Sequence, residues 1–179
     1  MTLLFMRVSL GRRSFDYSGA RSEKPTLKIA VVMERVAIES RWATHQWRVA
    51  SVRPDCGGEP RVVVEHEGLL QKLYPGLDLT IHRDEAEGYY LNVSSEKPAV
   101  FVSWRVEEDS GEGYPFLATL SYHEAARWMD GGETVDRVEA PVDLIVWLGT
   151  WVEENYRPEA KKRIRPKSFE SLERRSRGT

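Results

Sequence analysis

The stretch from Asp78 to Glu108, DLTIHRDEAEGYYLNVSSEKPAVFVSWRVEE, constrains the fold more than any other, because turn chemistry separates three short runs of β-type patterning. Leu79 and Ile81 alternate with Thr80 and His82, and Tyr89 and Leu91 with Tyr90 and Asn92. Phe101 to Val106 is rich in the β-branched and aromatic residues that suit a pleated, half-buried surface. The stretch reads as an antiparallel meander, with the polar segment His82 to Gly88 as a hairpin connection.

At 179 residues and 41% hydrophobic composition, the chain is long enough for one sizeable core and short for two. Residues 1–26, rich in Arg, Ser and Gly and without sustained periodicity, read as a flexible extension. A single domain spans 27–156, and 157–179 is a basic, disordered tail. Within the domain, Leu27 to Val36 is nearly continuously apolar, as in a strand covered on both faces. Trp47, Val49 and Ser51 alternate with Arg48 and Ala50 in a second strand. Pro54 to Pro60 is a loop, Arg61 to His66 a third strand, and Gly68 to Tyr74 a short helical turn before Pro75-Gly76. Tyr114 to Leu120 and Thr134 to Val138 complete the extended segments.

Two helices follow from capping chemistry. Ser121 and Glu124 have capping-box spacing, Ala125, Trp128 and Met129 supply an apolar stripe, and Gly131-Gly132 offers a left-handed C-cap. Pro141 suits a first helical position, after which Val142, Ile145, Leu148, Trp151, Val152 and Tyr156 recur at three- and four-residue steps. Arg157-Pro158 ends that helix. The expected class is α+β: a curved antiparallel sheet or partial β-barrel of six to seven strands, with one short helix and a C-terminal helix packed on the sheet. Trp47, Trp104, Ile145, Leu148 and Val152 are its expected core. Gln46-Trp47-Arg48-Val49 and Ser103-Trp104-Arg105-Val106 echo each other, and strand alternation puts both tryptophans inside and Arg48 and Arg105 outside.

Charge is unevenly distributed. Residues 1–26 hold five Lys/Arg against two acids, a net +3, and residues 157–179 hold nine against three, a net +6. With −2 for the whole chain, residues 27–156 carry −11. An acidic body of this kind suits a partner with basic surface and repels a nucleic-acid backbone, although the tail alone has the charge for one. Cys56 is the only cysteine, so no internal disulfide forms and a reducing, cytoplasmic setting is expected. No signal peptide or membrane span is read at the amino terminus.

Catalytic signatures are sparse. There is no phosphate-binding glycine loop and no nucleophile elbow, and His123-Glu124-Ala125-Ala126-Arg127 has arginine where a zinc-protease motif needs its second histidine. His45, His66 and His82 lack ligand spacing. No catalytic residue, cofactor or metal is assigned. The acidic turn Asp84, Glu85 and Glu87 remains: carboxylates beside His82 have acid/base potential if their environments separate them, but on a hairpin tip they read as a partner-binding or solvated loop.

Several blocks carry a family resemblance. Met33-Glu34-Arg35, Arg41 to Arg48, His82 to Asn92 and Ser121 to Asp130 together resemble the bacterial family of domain of unknown function 3305, over roughly Leu27 to Arg165. The resemblance implies a cytoplasmic proteobacterial protein, commonly encoded beside molybdenum-dependent formate dehydrogenase components and their accessory proteins. It establishes no catalytic residue. The expectation is therefore a non-catalytic accessory or assembly protein that binds a formate dehydrogenase subunit or maturation factor, with Asp84, Glu85, Glu87, Arg48 and Arg105 as candidate partner-binding residues. The alternatives are an enzyme or cofactor-handling protein of molybdopterin metabolism, which needs a pocket lined by His82, Asp84 or Glu87, and an adaptor using the basic tail.

Overall fold

In the computed structural model, residues 24–158 apart from 40 and 42 are described. The expected extension and tail thus lie almost wholly outside the described residues. The domain begins one residue earlier than expected, since Thr26 already belongs to the first strand and the Pro25 carbonyl accepts from Ile81 N–H at 2.8 Å.

Among the described residues, seven strands form two antiparallel sheets. The first sheet is ordered β2 (His45–Pro54), β1 (Thr26–Ala37), β4 (Leu69–Thr80), β3 (Arg61–His66). The second is ordered β6 (Gly113–Thr119), β5 (Ala99–Val106), β7 (Thr134–Glu139). The sheets face each other with β4 beside β6 and β2 beside β7, and no strand pairing closes them into a barrel. The α+β class holds.

β1 is the central strand of this packing. Leu27, Ile29, Val31 and Met33 enter the main core between the sheets, while Ala30 and Val32 point the other way into a small cluster with Leu73, Ala50 and Cys56. Both faces are covered, as its unbroken apolar run requires. Trp47 is buried in the main core and Trp104 packs half-buried against it, so both tryptophans do point inward.

Among the described residues there are three α-helices, α1 (Ala86–Val93), α2 (Tyr122–Asp130) and α3 (Val142–Asn155). α2 lies on the outer face of the second sheet, where Ala125 meets Ala99 and Phe101 and the Tyr122 ring stands edge-on to Phe101 at 4.9 Å. Ser121 caps it as expected, accepting from Glu124 N–H at 3.2 Å, and its carboxyl end is closed by Gly132 N–H to Met129 and Glu133 N–H to Trp128, with Gly132 left-handed. α3 seals the main core with Leu144, Leu148 and Val152.

Four expectations are corrected. Gly68 to Tyr74 is not a helical turn: Gly68 closes the β3–β4 turn and Leu69 to Tyr74 belong to β4, which continues through Pro75-Gly76 by a bulge that places Gly76 at φ 83°. Residues 82–93 are not a hairpin connection and a strand but a 3₁₀ turn, Arg83–Glu85, running into α1. In α3 the buried line is Leu144, Leu148, Val152, with Ile145, Trp151 and Tyr156 only flanking it and Val142 73% exposed. Pro141 caps α3 rather than opening it.

Polar clamps join the sheets. Glu112, at the entry to β6, accepts from Lys72 Nζ and from Tyr74 Oη on β4. Trp47 Nε1 donates to Gly111 O at 3.0 Å, and Val49 N–H to the Asp136 carboxylate at 2.8 Å. Burial alone would raise the Glu112 carboxyl, but the bonds from Lys72 and Tyr74 outweigh it and hold the group below its ordinary value near 4.5. Because the folded value is the depressed one, the stability Glu112 contributes is fully present above the ordinary value and is lost as pH falls from there through the folded value.

Two predictions follow from this packing. Leu148→Ala removes a fully buried side chain and is expected to cost about 2–5 kcal/mol, whereas the exposed Val146→Ala stays within about 0.5 kcal/mol, both measured by denaturant unfolding. Glu112→Gln is expected to flatten part of the decline in unfolding free energy below about pH 4.5; equal slopes in the two proteins would remove Glu112 from the acid response.

Candidate functional site

The blocks His82 to Asn92 and Ser121 to Asp130, far apart in sequence, meet where α1 crosses the start of α2. Asn92, 0% exposed, makes the first connection: its Nδ2 donates to Ala99 O at 2.7 Å and Leu120 O at 2.8 Å, and its Oδ1 accepts from Ala99 N–H at 2.9 Å. A buried amide must be bonded in this way to be tolerated. α1 is thereby tied to the start of β5 and the end of β6.

One turn earlier, α1 comes so close to α2 that a Cβ on Gly88 would sit 2.2 Å from Ser121 Oγ. The buried Glu85 carboxylate then accepts from Ser121 Oγ at 2.6 Å and from Arg127 Nη2 at 2.5 Å. The hydrogen bond that Arg127 donates to Glu85 raises its already high pKa further. Thr119 extends the network, donating to Glu124 Oε2 at 2.6 Å and accepting from Ser121 N–H at 3.0 Å. Glu124 therefore does not reach back to the cap amide itself; Thr119 stands between them. Tyr89, fully buried, accepts from His82 N–H at 3.0 Å, and burial pushes its hydroxyl well above the ordinary range.

Of the five candidate residues, Asp84 and Glu87 are exposed on the outer side of this joint, while Glu85 is committed beneath them. Leu91, 44% exposed and one turn beyond Glu87, continues the same helix face. Asp84 also borders an open hollow of about 530 Å³ shared with Lys24, His82 and Arg83. Glu87 does not line it.

The two arginines lie elsewhere, each on the outer face of its sheet. Arg48 Nε donates to Glu34 Oε1 at 2.6 Å, and Gln71 Nε2 donates to Glu34 Oε2 at 3.0 Å, forming a rung across β2, β1 and β4. Burial pushes the Glu34 carboxyl up, and the bonds from Gln71 and Arg48 bring it below its ordinary value. Arg105 holds Glu133 through Nη2 at 2.5 Å and Nε at 3.2 Å, and its guanidinium lies 3.9 Å over the Phe116 ring. The hydrogen bond from Arg105 is the main cause of a lowered Glu133 pKa. The fold does not bring either arginine to the acidic turn.

The residues that sequence reasoning missed are Ser121, Thr119, Arg127 and Asn92 as partners of this segment. Among the described residues, no three His, Cys, Asp or Glu side chains gather where they could hold a metal ion, and no helix is long and apolar enough to cross a membrane.

The joint makes a direct prediction. Gly88→Ala forces Ser121 away from its cap position and is expected to destabilise the fold by about 1–3 kcal/mol. Thermal unfolding against Gly149→Ala, where a Cβ meets nothing within 4 Å, separates this contact from a general effect of replacing glycine.

No curated protein and no solved structure matches the chain at a significant level. A family profile does match, over residues 28–165, and it takes in every element from β1 to α3 together with both blocks of the joint. The chain belongs to the family described as protein of unknown function (DUF3305).

Proposed function

We propose that this protein is a non-catalytic accessory protein that docks a protein partner on the outer side of the α1–α2 joint. The observation that supports it is how the polar residues of the two blocks are spent. Glu85, Ser121, Thr119, Glu124, Arg127 and Asn92 bond to one another or to backbone, which holds α1 rigidly. What the 3₁₀ turn and α1 then present to solvent includes Asp84 from the turn and Glu87 and Leu91 from one face of the helix, two carboxylates and an apolar side chain. Carboxylates on a preorganised surface favour a basic partner by steering its approach and fixing its orientation.

We propose as that partner a component of the molybdenum-dependent formate dehydrogenase system, either a subunit or a maturation factor, which is the expectation that the family resemblance carries. Arg48 and Arg105, being bound to Glu34 and Glu133, are assigned no part in the contact.

Binding of the purified chain to formate dehydrogenase subunits and maturation factors, measured at rising salt, tests the proposal. The double variant Asp84→Ser/Glu87→Ser is expected to lower affinity and to reduce its salt dependence without changing the melting temperature, while Asp143→Ser leaves both unchanged. Equal affinity and equal salt dependence in the double variant and the parent would move the interface elsewhere. No binding of any such component by the parent would overturn the partner assignment.

A further inference from the structure

The first sheet carries a second feature at the opposite end of β1, on the face that looks toward the other sheet. Arg35 on β1 is paired with Leu70 on β4, and Leu70 is paired in turn with Glu65 on β3. Directly paired residues share a face of the sheet. That face is the inner one, because Arg35 lies over the Trp47 ring at 5.9 Å and Leu70 packs against the main core. One rung thus reads cation, leucine, anion across three neighbouring strands.

The contrast with the outer rung is instructive. There Arg48, Glu34 and Gln71 sit on adjacent strands and bond to one another. Here the charges are two strands apart, about 9–10 Å between backbones, and they form no ion pair. Among the described residues neither the Arg35 guanidinium nor the Glu65 carboxylate makes a hydrogen bond, and both residues are exposed.

Both charged residues line an open hollow of about 400 Å³, with Leu70 between them on the same face and His45 and His66 at its border. His66 donates its Nδ1 proton to Glu67 O at 3.2 Å, and His45 Nδ1 bonds the Thr44 hydroxyl at 3.0 Å. A guanidinium presents a planar fork that matches a carboxylate, and a carboxylate accepts from an ammonium.

We infer that this cleft binds a small zwitterionic molecule whose carboxylate meets Arg35, whose ammonium meets Glu65, and whose short apolar chain lies over Leu70. The two-strand spacing suits charges separated by several carbons better than charges on adjacent carbons, as in an α-amino acid. The site is separate from the α1 surface and does not depend on the accessory role.

Titration of the full chain with 5-aminopentanoate, pentanoate, pentylamine and 2-aminopentanoate, followed by amide chemical shifts, tests it. The expected result is saturable binding of 5-aminopentanoate about fivefold tighter than any of the other three, a size set by one exposed ion pair. Arg35→Ala should reduce 5-aminopentanoate to the affinity of pentylamine, and Glu65→Gln should reduce it to that of pentanoate. Both side chains are exposed, so matched melting temperatures are expected and confirm that the variants fold. Equal affinity for all four probes, no saturable binding, or shifts that survive both substitutions would each overturn the assignment.

Discussion

The side-chain amide of Asn92 is what lets a short helix share a core with two sheets. Its Oδ1 and Nδ2 engage both backbone groups of Ala99, much as a neighbouring strand would, and its second amide proton goes to Leu120 at the other edge of the junction. An eight-residue helix has little stability alone. With Asn92 held, Gly88 meets Ser121, Glu85 reaches Arg127, and Tyr89 stands edge-on to Trp151 at 5.6 Å. Each contact is modest, but together they set α1 against both other helices, and removing the amide would leave three backbone groups to find new partners in the interior.

Legibility from the sequence followed how local the determining interactions are. β1, β5 and β6 were readable from composition, and α2 from its own Ser121 cap and terminal glycines. β4 was not, because Pro75-Gly76 reads as a stop, whereas here a bulge absorbs both residues and the strand resumes. The segment 82–93 satisfies two periods at once: Tyr89 and Leu91 alternate with polar neighbours, yet Ala86, Tyr89 and Val93 also lie at helical spacing. Tertiary contacts decide between them, and partners such as Leu120 and Arg127 are 28 and 42 residues away.

The candidate site was visible as three carboxylates but not as three different fates. Asp84 and Glu87 face solvent while Glu85 turns inward, and nothing within the turn distinguishes them. The clue lay in the failed zinc motif, where the arginine that removes a metal ligand, Arg127, is the cation that receives Glu85. Most of the body's described ion pairs are of this committed kind, so the outward field of the domain is set by the acids left over.

The described chain enters at Lys24, which borders the hollow beside His82 and Asp84, and leaves just after Tyr156, whose ring lies 5.3 Å from that of Tyr90 on α1. Both ends of the domain therefore emerge around one short helix. An affinity tag or fluorescent fusion placed directly before Lys24 or directly after Pro158 would begin next to that helix, whereas a label on the β1–β3 end of the first sheet would sit a strand's length away. Where a handle is attached thus decides which half of the surface an experiment can interrogate.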